Sequence, residues 1–213
     1  MDLDRERLRR DAETPQLAGG ADLPGVVADF AAAFAADPVF DWFLREGDGR
    51  PQALRRFFAL ILKVTANPAR RIERPAGGGA AALWIPSEHM TKPTLANELE
   101  ALGVLLAGCG LARFPRVAAM RGAMDRHHPH DRAHDYLYFL GVRPEAQGLG
   151  VGSRLLKAHL AGLDAAGRPA FLETGAPRTL SLYQGHGFAV IGEYKARPDA
   201  PTMWALWREP QAL

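Results

Sequence analysis

The segment Tyr136-Leu-Tyr-Phe-Leu-Gly-Val142 has no polar face beyond its two phenols, which marks a strand buried on both sides in the middle of a sheet. A short connector then runs through Gln147-Gly-Leu-Gly-Val-Gly152 into a helical pattern over about 153–166, with Leu155, Leu156, His159, Leu160 and Leu163 on one side. Pro169-Ala-Phe-Leu-Glu-Thr174 reads as the next strand. A strand, a glycine loop, a helix and a second strand in this order demand a layered α/β arrangement. The loop also has a chemical meaning. Glycines let main-chain amides turn toward one point, and the N-terminal end of the following helix adds a positive dipole, so Gly148, Gly150 and Gly152 can cradle a pyrophosphate without a basic side chain. The ordinary alternative is a tight turn that binds nothing, which leaves three glycines directly before a helix start unexplained.

Spacing separates the phosphate-binding possibilities. A dinucleotide fingerprint counted from Gly148 puts Ser153 where its third glycine belongs, and no Gly-Lys-Ser/Thr triplet is present for a Walker loop. What remains is Gln-x-x-Gly-x-Gly following Val142-Arg-Pro-Glu.

The other elements follow from the same patterns. Residues 1–12 read as a charged tail and 13–18 as a first strand. Asp22 is a candidate N-cap for a helix through Phe30, Phe34 and Ala35, which Pro38 ends or kinks. Val39 to Leu44 adds an aromatic helical turn, and a helix follows Pro51 to about Thr65. The strands 70–74 and 80–85 flank Pro75-Ala-Gly-Gly-Gly79 as an antiparallel hairpin. Residues 91–132 carry leucines at helical spacing interrupted at Gly108, Gly110 and Pro115, which predicts two helices. A short helix over 178–186 and strands near 188–195 and 202–208 complete a mixed sheet with helices on both faces.

Composition narrows the function. With 47% hydrophobic residues in 213, disorder drops out, and the length predicts one domain, 1–213. A net charge of +2 is too small for the basic face that nucleic acid requires. The longest uncharged apolar stretch, Ala101 to Ala112, is shorter than the roughly 20 residues of a bilayer span, so no membrane partner is expected. One cysteine, Cys109, and a charged beginning of the chain point to a reducing cytoplasm. Cys109 sits in an apolar run with no cation beside it in sequence, which favours inert burial over an acyl carrier. His127, His128, His130 and His134 with Asp131 and Asp135 form the one cluster with metal-ligand residue types. No Cys joins it, no H-E-x-x-H occurs and Pro129 interrupts it, so no metal is expected and a wall of a substrate pocket, His134 included, is the better reading.

The Gln147-x-x-Gly150-x-Gly152 loop, together with Leu182-Tyr183-Gln-Gly-His-Gly187-Phe188 downstream, resembles the two signatures of the GCN5-related N-acetyltransferases (GNAT). The likeness is strong over 136–192 and weak over 22–90, and Pro169 to Arg178 looks most like the puromycin N-acetyltransferase branch. The resemblance implies an α/β (α+β) fold with a mixed, mostly antiparallel sheet of about six or seven strands, splayed between two central ones. It also implies acetyl-CoA as co-substrate and an amine as acceptor.

Carried over residue by residue, the resemblance puts the pantetheine arm along the main chain of Leu140, Gly141 and Val142. The pyrophosphate falls on the amides of Gly148, Leu149, Gly150, Val151, Gly152 and Ser153, with Gln147 in the signature. Leu140 N–H becomes the oxyanion donor and Tyr183 the acid that protonates the departing thiolate, a phenol of pKa about 10 facing a thiol of about 8.5. Tyr183 as simple packing is the alternative. Glu173 ends an apolar strand beside the implied thioester and is a candidate base, or else pairs with Arg178 or lies exposed. Thr179 stands where the family usually has Asn and offers fewer hydrogen bonds. Trp42, Phe43, Trp84 and Glu88 are candidate acceptor contacts, with core packing as their alternative, and residues 91–135 are an insertion that shapes the acceptor site. The expected reaction is direct acetyl transfer to a small-molecule primary amine by a monomer or homodimer. A protein or peptide acceptor and a silent acyl-CoA-binding regulatory module are the alternatives.

Overall fold

A computed structural model describes residues 5–90 and 94–212. Seven strands form one sheet in the order β1-β2-β3-β4-β5-β7-β6 among these residues: β1 Gln16–Leu17, β2 Arg71–Arg74, β3 Ala80–Pro86, β4 Asp135–Val142, β5 Ala170–Thr174, β6 Ala189–Lys195 and β7 Thr202–Arg208. All neighbours are antiparallel except β4 and β5. The largely apolar β4 is the fourth of seven, as the scarcity of polar side chains after Asp135 requires.

Seven α-helices cover both faces in the described residues: α1 Arg5–Glu13, α2 Leu23–Ala33, α3 Pro38–Phe43, α4 Arg50–Val64, α5 Leu95–His127, α6 Val151–Ala165 and α7 Leu180–Gly185. One face packs α2, α3, α4 and α5 on Ile85, Tyr136, Phe139, Phe171 and Met203. The other packs α6 and α7 on Ala82, Trp84, Leu137, Leu172 and Leu206. The sheet alternation of period two separates these sets.

Three expectations need correction. The charged tail is helical from Arg5: Leu8 and Ala12 are buried against Ala146, Val151 and Leu155, so α1 docks on α6. Residues 1–4 of that expected tail, and 91–93 of the expected insertion, lie outside the described residues. Asp22 makes no side-chain cap for α2; its carboxylate accepts from Gly19 N–H at 2.9 Å and pairs with Arg74 at 2.5 Å. Pro38 does not end α2. It opens α3, where the Asp37 carboxylate caps Val39 and Phe40 N–H.

The two-helix reading of 91–132 holds, with the break at Gly110 (φ 72°, ψ 167°), where a left-handed φ needs glycine. By length and composition alone the whole run is long and apolar enough to cross a bilayer, yet each arm beside Gly110 is shorter than the roughly 20 residues a span needs.

Between α6 and the sheet lies a buried ionic clamp. His159 bonds Glu73 at 3.0 Å and Asp135 at 3.2 Å and stacks on Trp84 at 4.0 Å. Arg168 adds a second cation to Asp135 and reaches Glu88, while Arg71 flanks Glu73. Burial opposes charging His159, but the two carboxylates outweigh it and raise its pKa; for Glu73 and Asp135 burial pulls upward, and His159 with the arginines outweighs it and lowers theirs. The His159 contribution to stability is therefore full below its unfolded pKa of about 6.5 and lost as pH rises through the raised folded value. The carboxylate contribution is full above about pH 4.5 and lost as pH falls through the lowered values. The Tm difference between wild type and His159→Gln should be largest between these limits and shrink on either side. A difference that stays flat across pH 4–9 would show that the clamp does not act by charge.

Candidate active site

Strands β4 and β5 pair only through Asp135↔Ala170, Tyr136↔Phe171 and Leu137↔Leu172; beyond Leu137 they diverge. On its other edge β4 stays paired with β3, and the register shift between Leu83 and Trp84 leaves Tyr138 as the extra residue of a bulge. Arg143 N–H donates to Gly79 O on the β3 side at 2.9 Å. By the alternation of a strand, the N–H and C=O groups of Leu140 and Val142 then face away from β3, into the gap that β5 has left. Gln147 Nε2 donates to Val142 O at 3.0 Å, which fits this direction and clamps the loop to the strand.

At one end of the gap stands the N-terminus of α6. Gly148 (φ 75°) and Gly150 (φ 72°) occupy the left-handed region, which explains their identity. Gly152 is required for another reason: a Cβ there would meet Val142 Cγ2 at 3.3 Å, so the helix approaches β4 closely. The first helical bond into this turn is Arg154 N–H to Gly150 O at 3.1 Å, and the N–H groups of Val151, Gly152 and Ser153 precede it with no acceptor inside the helix. The side chains of Leu149 and Val151 pack into the α1 cluster, so these residues can offer only main chain. Ser153 Oγ bonds His186 Nε2 at 2.8 Å, tying α6 to the end of α7. Gly141 has a structural role as well, because a Cβ would stand 2.7 Å from Phe30 Cδ1.

A cavity of about 1860 Å³ runs through the gap and is lined from both faces of the sheet. Leu140, Leu182 and Tyr183 line it on the α6–α7 side; Tyr136, Phe139, Met120 and Glu173 line it on the other. Glu173 follows the last β4–β5 pair and thus sits where the strands part. Its carboxylate accepts from Tyr136 Oη at 3.0 Å and from Tyr194 Oη, not from Arg178. Tyr194 reaches it over β7, where small Ala205 faces Glu173 on one side and Gly192 on the other. Burial raises the Glu173 pKa, while the two phenols and nearby His127 hold it down. Tyr183 is buried, and desolvation, with the Asp37 carboxylate, pushes its phenol well up. It therefore stays protonated at neutral pH.

Sequence expectation and structure part company at several acceptor residues. Trp42 is buried in the core with its indole N–H on Asp199 at 3.0 Å and does not line the cavity. Trp84 is fully buried on the opposite face of the sheet, against His159. His134 is also fully buried: Nδ1 meets Arg132 O at 2.8 Å and its ring lies among His128, Phe171 and Trp207. His128 takes the place at the wall, its pKa pushed down by burial and by His134 and His130 to about 4. Phe43 and Glu88 do line the cavity, though the Glu88 carboxylate is already paired with Arg168 at 2.7 Å. Thr179 lines it too, with its hydroxyl donating to Ala176 O at 2.8 Å and bonded to Thr174 Oγ1 at 2.9 Å, so its one donor is spent locally. Cys109 is buried with Sγ on Leu105 O, and burial raises its thiol pKa. Asp37, Tyr136 and Tyr194 were missed; for Asp37 the signal was the cap-and-proline pair Asp37-Pro38.

Parted central strands, an amide-lined helix N-terminus and a cavity through the sheet are the layout of the GNAT fold. Residues 112–190 match the family model described as acetyltransferase (GNAT) domain. A solved structure described as histone acetyltransferase HPA2 and related acetyltransferase, from Corynebacterium glutamicum, is 27% identical, covers 93% of this chain and 98% of its own, and superposes with a TM-score of 0.66. Arylalkylamine N-acetyltransferase 2 from Aedes aegypti shares the fold at 12% identity, 92% and 98% coverage and a TM-score of 0.62. The ribosomal-protein-S18-alanine N-acetyltransferase from Escherichia coli does so at 14% identity, 93% and 94% coverage and a TM-score of 0.52.

Proposed function

We propose that this chain transfers the acetyl group of acetyl-CoA to the primary amine of a small molecule in a ternary complex. The observation that carries the reading is the gap between β4 and β5, open to both faces of the sheet, with an acid-bearing wall on one side and a carboxylate on the other.

The residues present fit the donor. The Val151, Gly152 and Ser153 amides suit its pyrophosphate, with Gly148 and Gly150 shaping the turn. The edge of β4 that β5 does not pair, with Leu140 N–H and C=O and Val142 N–H, faces the amide-bearing arm, Val142 O being held by Gln147. When bound, acetyl-CoA supplies an activated acyl carbon. Glu173 takes a proton from the ammonium form of the acceptor, directly or through water, and the freed nitrogen lone pair attacks the carbonyl carbon. Leu140 N–H donates to the oxygen on which charge develops, and such a donor is worth about 2.7–4 kcal/mol in comparable sites. As the C–S bond breaks, Tyr183 Oη gives its proton to the sulfur. The extra proton that the nitrogen carries after attack returns through water to the Tyr183 phenolate, and Glu173 releases its own proton to solvent.

Calorimetric titration with acetyl-CoA, followed by a thiol-release assay over a panel of small amines and lysine-bearing peptides, tests the reading. Micromolar donor binding with thiol release on small amines is the expected result. Binding with no turnover on any amine would leave a silent acyl-CoA module, and turnover on peptides alone would move the acceptor to the protein class.

A further inference from the structure

We infer that the acceptor is a primary amine carried on a bulky, ring-bearing apolar body, seated between α4 and the two arms of α5; this rests on the acetyl-transfer reading above. The α2–α5 side of the cavity is walled by Phe34, Phe57, Ile61, Phe139, Leu105 and Met124. None of these six is fully buried: each leaves part of its apolar surface uncovered, and each lines the cavity. Phe34 and Phe57 both meet Phe139 edge-to-face, at 5.4 and 6.4 Å, an array that a further ring can extend.

Such walls discriminate. An apolar body gains by leaving water against these six side chains, whereas a peptide backbone would bring N–H and C=O groups that they cannot pair. The polar lining residues of α5, Asn97, Glu98, Arg121 and Asp125, lie outside this apolar set. The polar group that matters is placed apart from the apolar wall: Glu173 lies at the strand gap, held by Tyr136 and Tyr194, so the amine end of a long apolar molecule would be drawn there. The volume agrees. At about 1860 Å³ the cavity exceeds the roughly 300–1,000 Å³ of an ordinary small-molecule site, leaving room for a donor arm and a bulky acceptor together. The wall is completed by both arms of α5, Leu105 before the Gly110 break and Met124 after it, so the break bends the helix around the chamber.

The probes are 2-phenylethylamine, the polar amine 2-(2-aminoethoxy)ethanol of similar length, and a short lysine peptide. Binding to the donor-free protein is read by calorimetry, and kcat/KM by thiol release with acetyl-CoA. We expect 2-phenylethylamine to bind and to exceed the polar amine in kcat/KM by at least about tenfold. Leu105→Gln, at a half-buried helix position, should raise its KM about tenfold while the acetyl-CoA Kd holds. Equal or better use of the polar amine or the peptide would overturn the inference and leave acetyl transfer standing. Absence of acetyl-CoA binding would instead sink the transferase reading, and the donor-free titration would still decide whether the chamber takes apolar amines.

Discussion

Glu173→Gln should lower kcat/KM for amine acetylation by about 10²–10⁴-fold near neutral pH while acetyl-CoA affinity stays close to wild type. The carboxamide keeps the shape of the side chain and can still meet Tyr136 and Tyr194, but it cannot take a proton. Wild type should show an acidic limb in kcat/KM set by Glu173, displaced upward from an ordinary carboxylate because burial disfavours its charge. Tyr194→Phe removes one of the two hydrogen bonds that oppose that displacement, so the limb should move to still higher pH with only a modest loss at its plateau. A Glu173→Gln enzyme with undiminished turnover would assign the proton to water or to another group.

How far the sequence reaches depends on whether a residue's role is local. The β4–loop–α6–β5 unit was legible because one short stretch carries the buried strand, the left-handed glycines and the helix start, and because Gly148, Gly150 and Gly152 have reasons that lie within ten residues of each other. Helix α1 was not legible. Seven of its nine residues are charged or polar, and only Leu8 and Ala12 turn inward, onto a helix more than a hundred residues away. Charge described its outer face and concealed the inner one.

The acceptor side failed for a different reason. Trp84 shares a face with Ala82, as alternation requires, but which face bears the acceptor is decided by how α4, α5 and α6 distribute themselves over the sheet. Trp42 and His134 have the chemical type of acceptor contacts, but both are spent on packing. Conversely, the link from Glu173 to Tyr194 depends on β7 lying between β5 and β6 and on Ala205 being small enough to be reached across, and no local pattern records either fact.

Tyr183→Phe separates acid catalysis from packing most directly, because it removes one oxygen and leaves the ring against Phe188. Turnover should fall at least about tenfold, and toward 10²-fold or more if protonation of the leaving sulfur limits the reaction, while the acetyl-CoA Kd and the Tm hold. The sign follows from the environment. Desolvation and the Asp37 carboxylate keep the phenol protonated throughout the working range, so it can only donate, and a leaving thiolate is a species that gains from a donor. An acyl donor whose leaving thiol has a lower pKa needs that proton less, so the gap between wild type and Tyr183→Phe should narrow with such a donor. A gap that stays constant across donors, or a variant as fast as wild type on acetyl-CoA, would return Tyr183 to the core and leave the departing sulfur to be protonated by solvent.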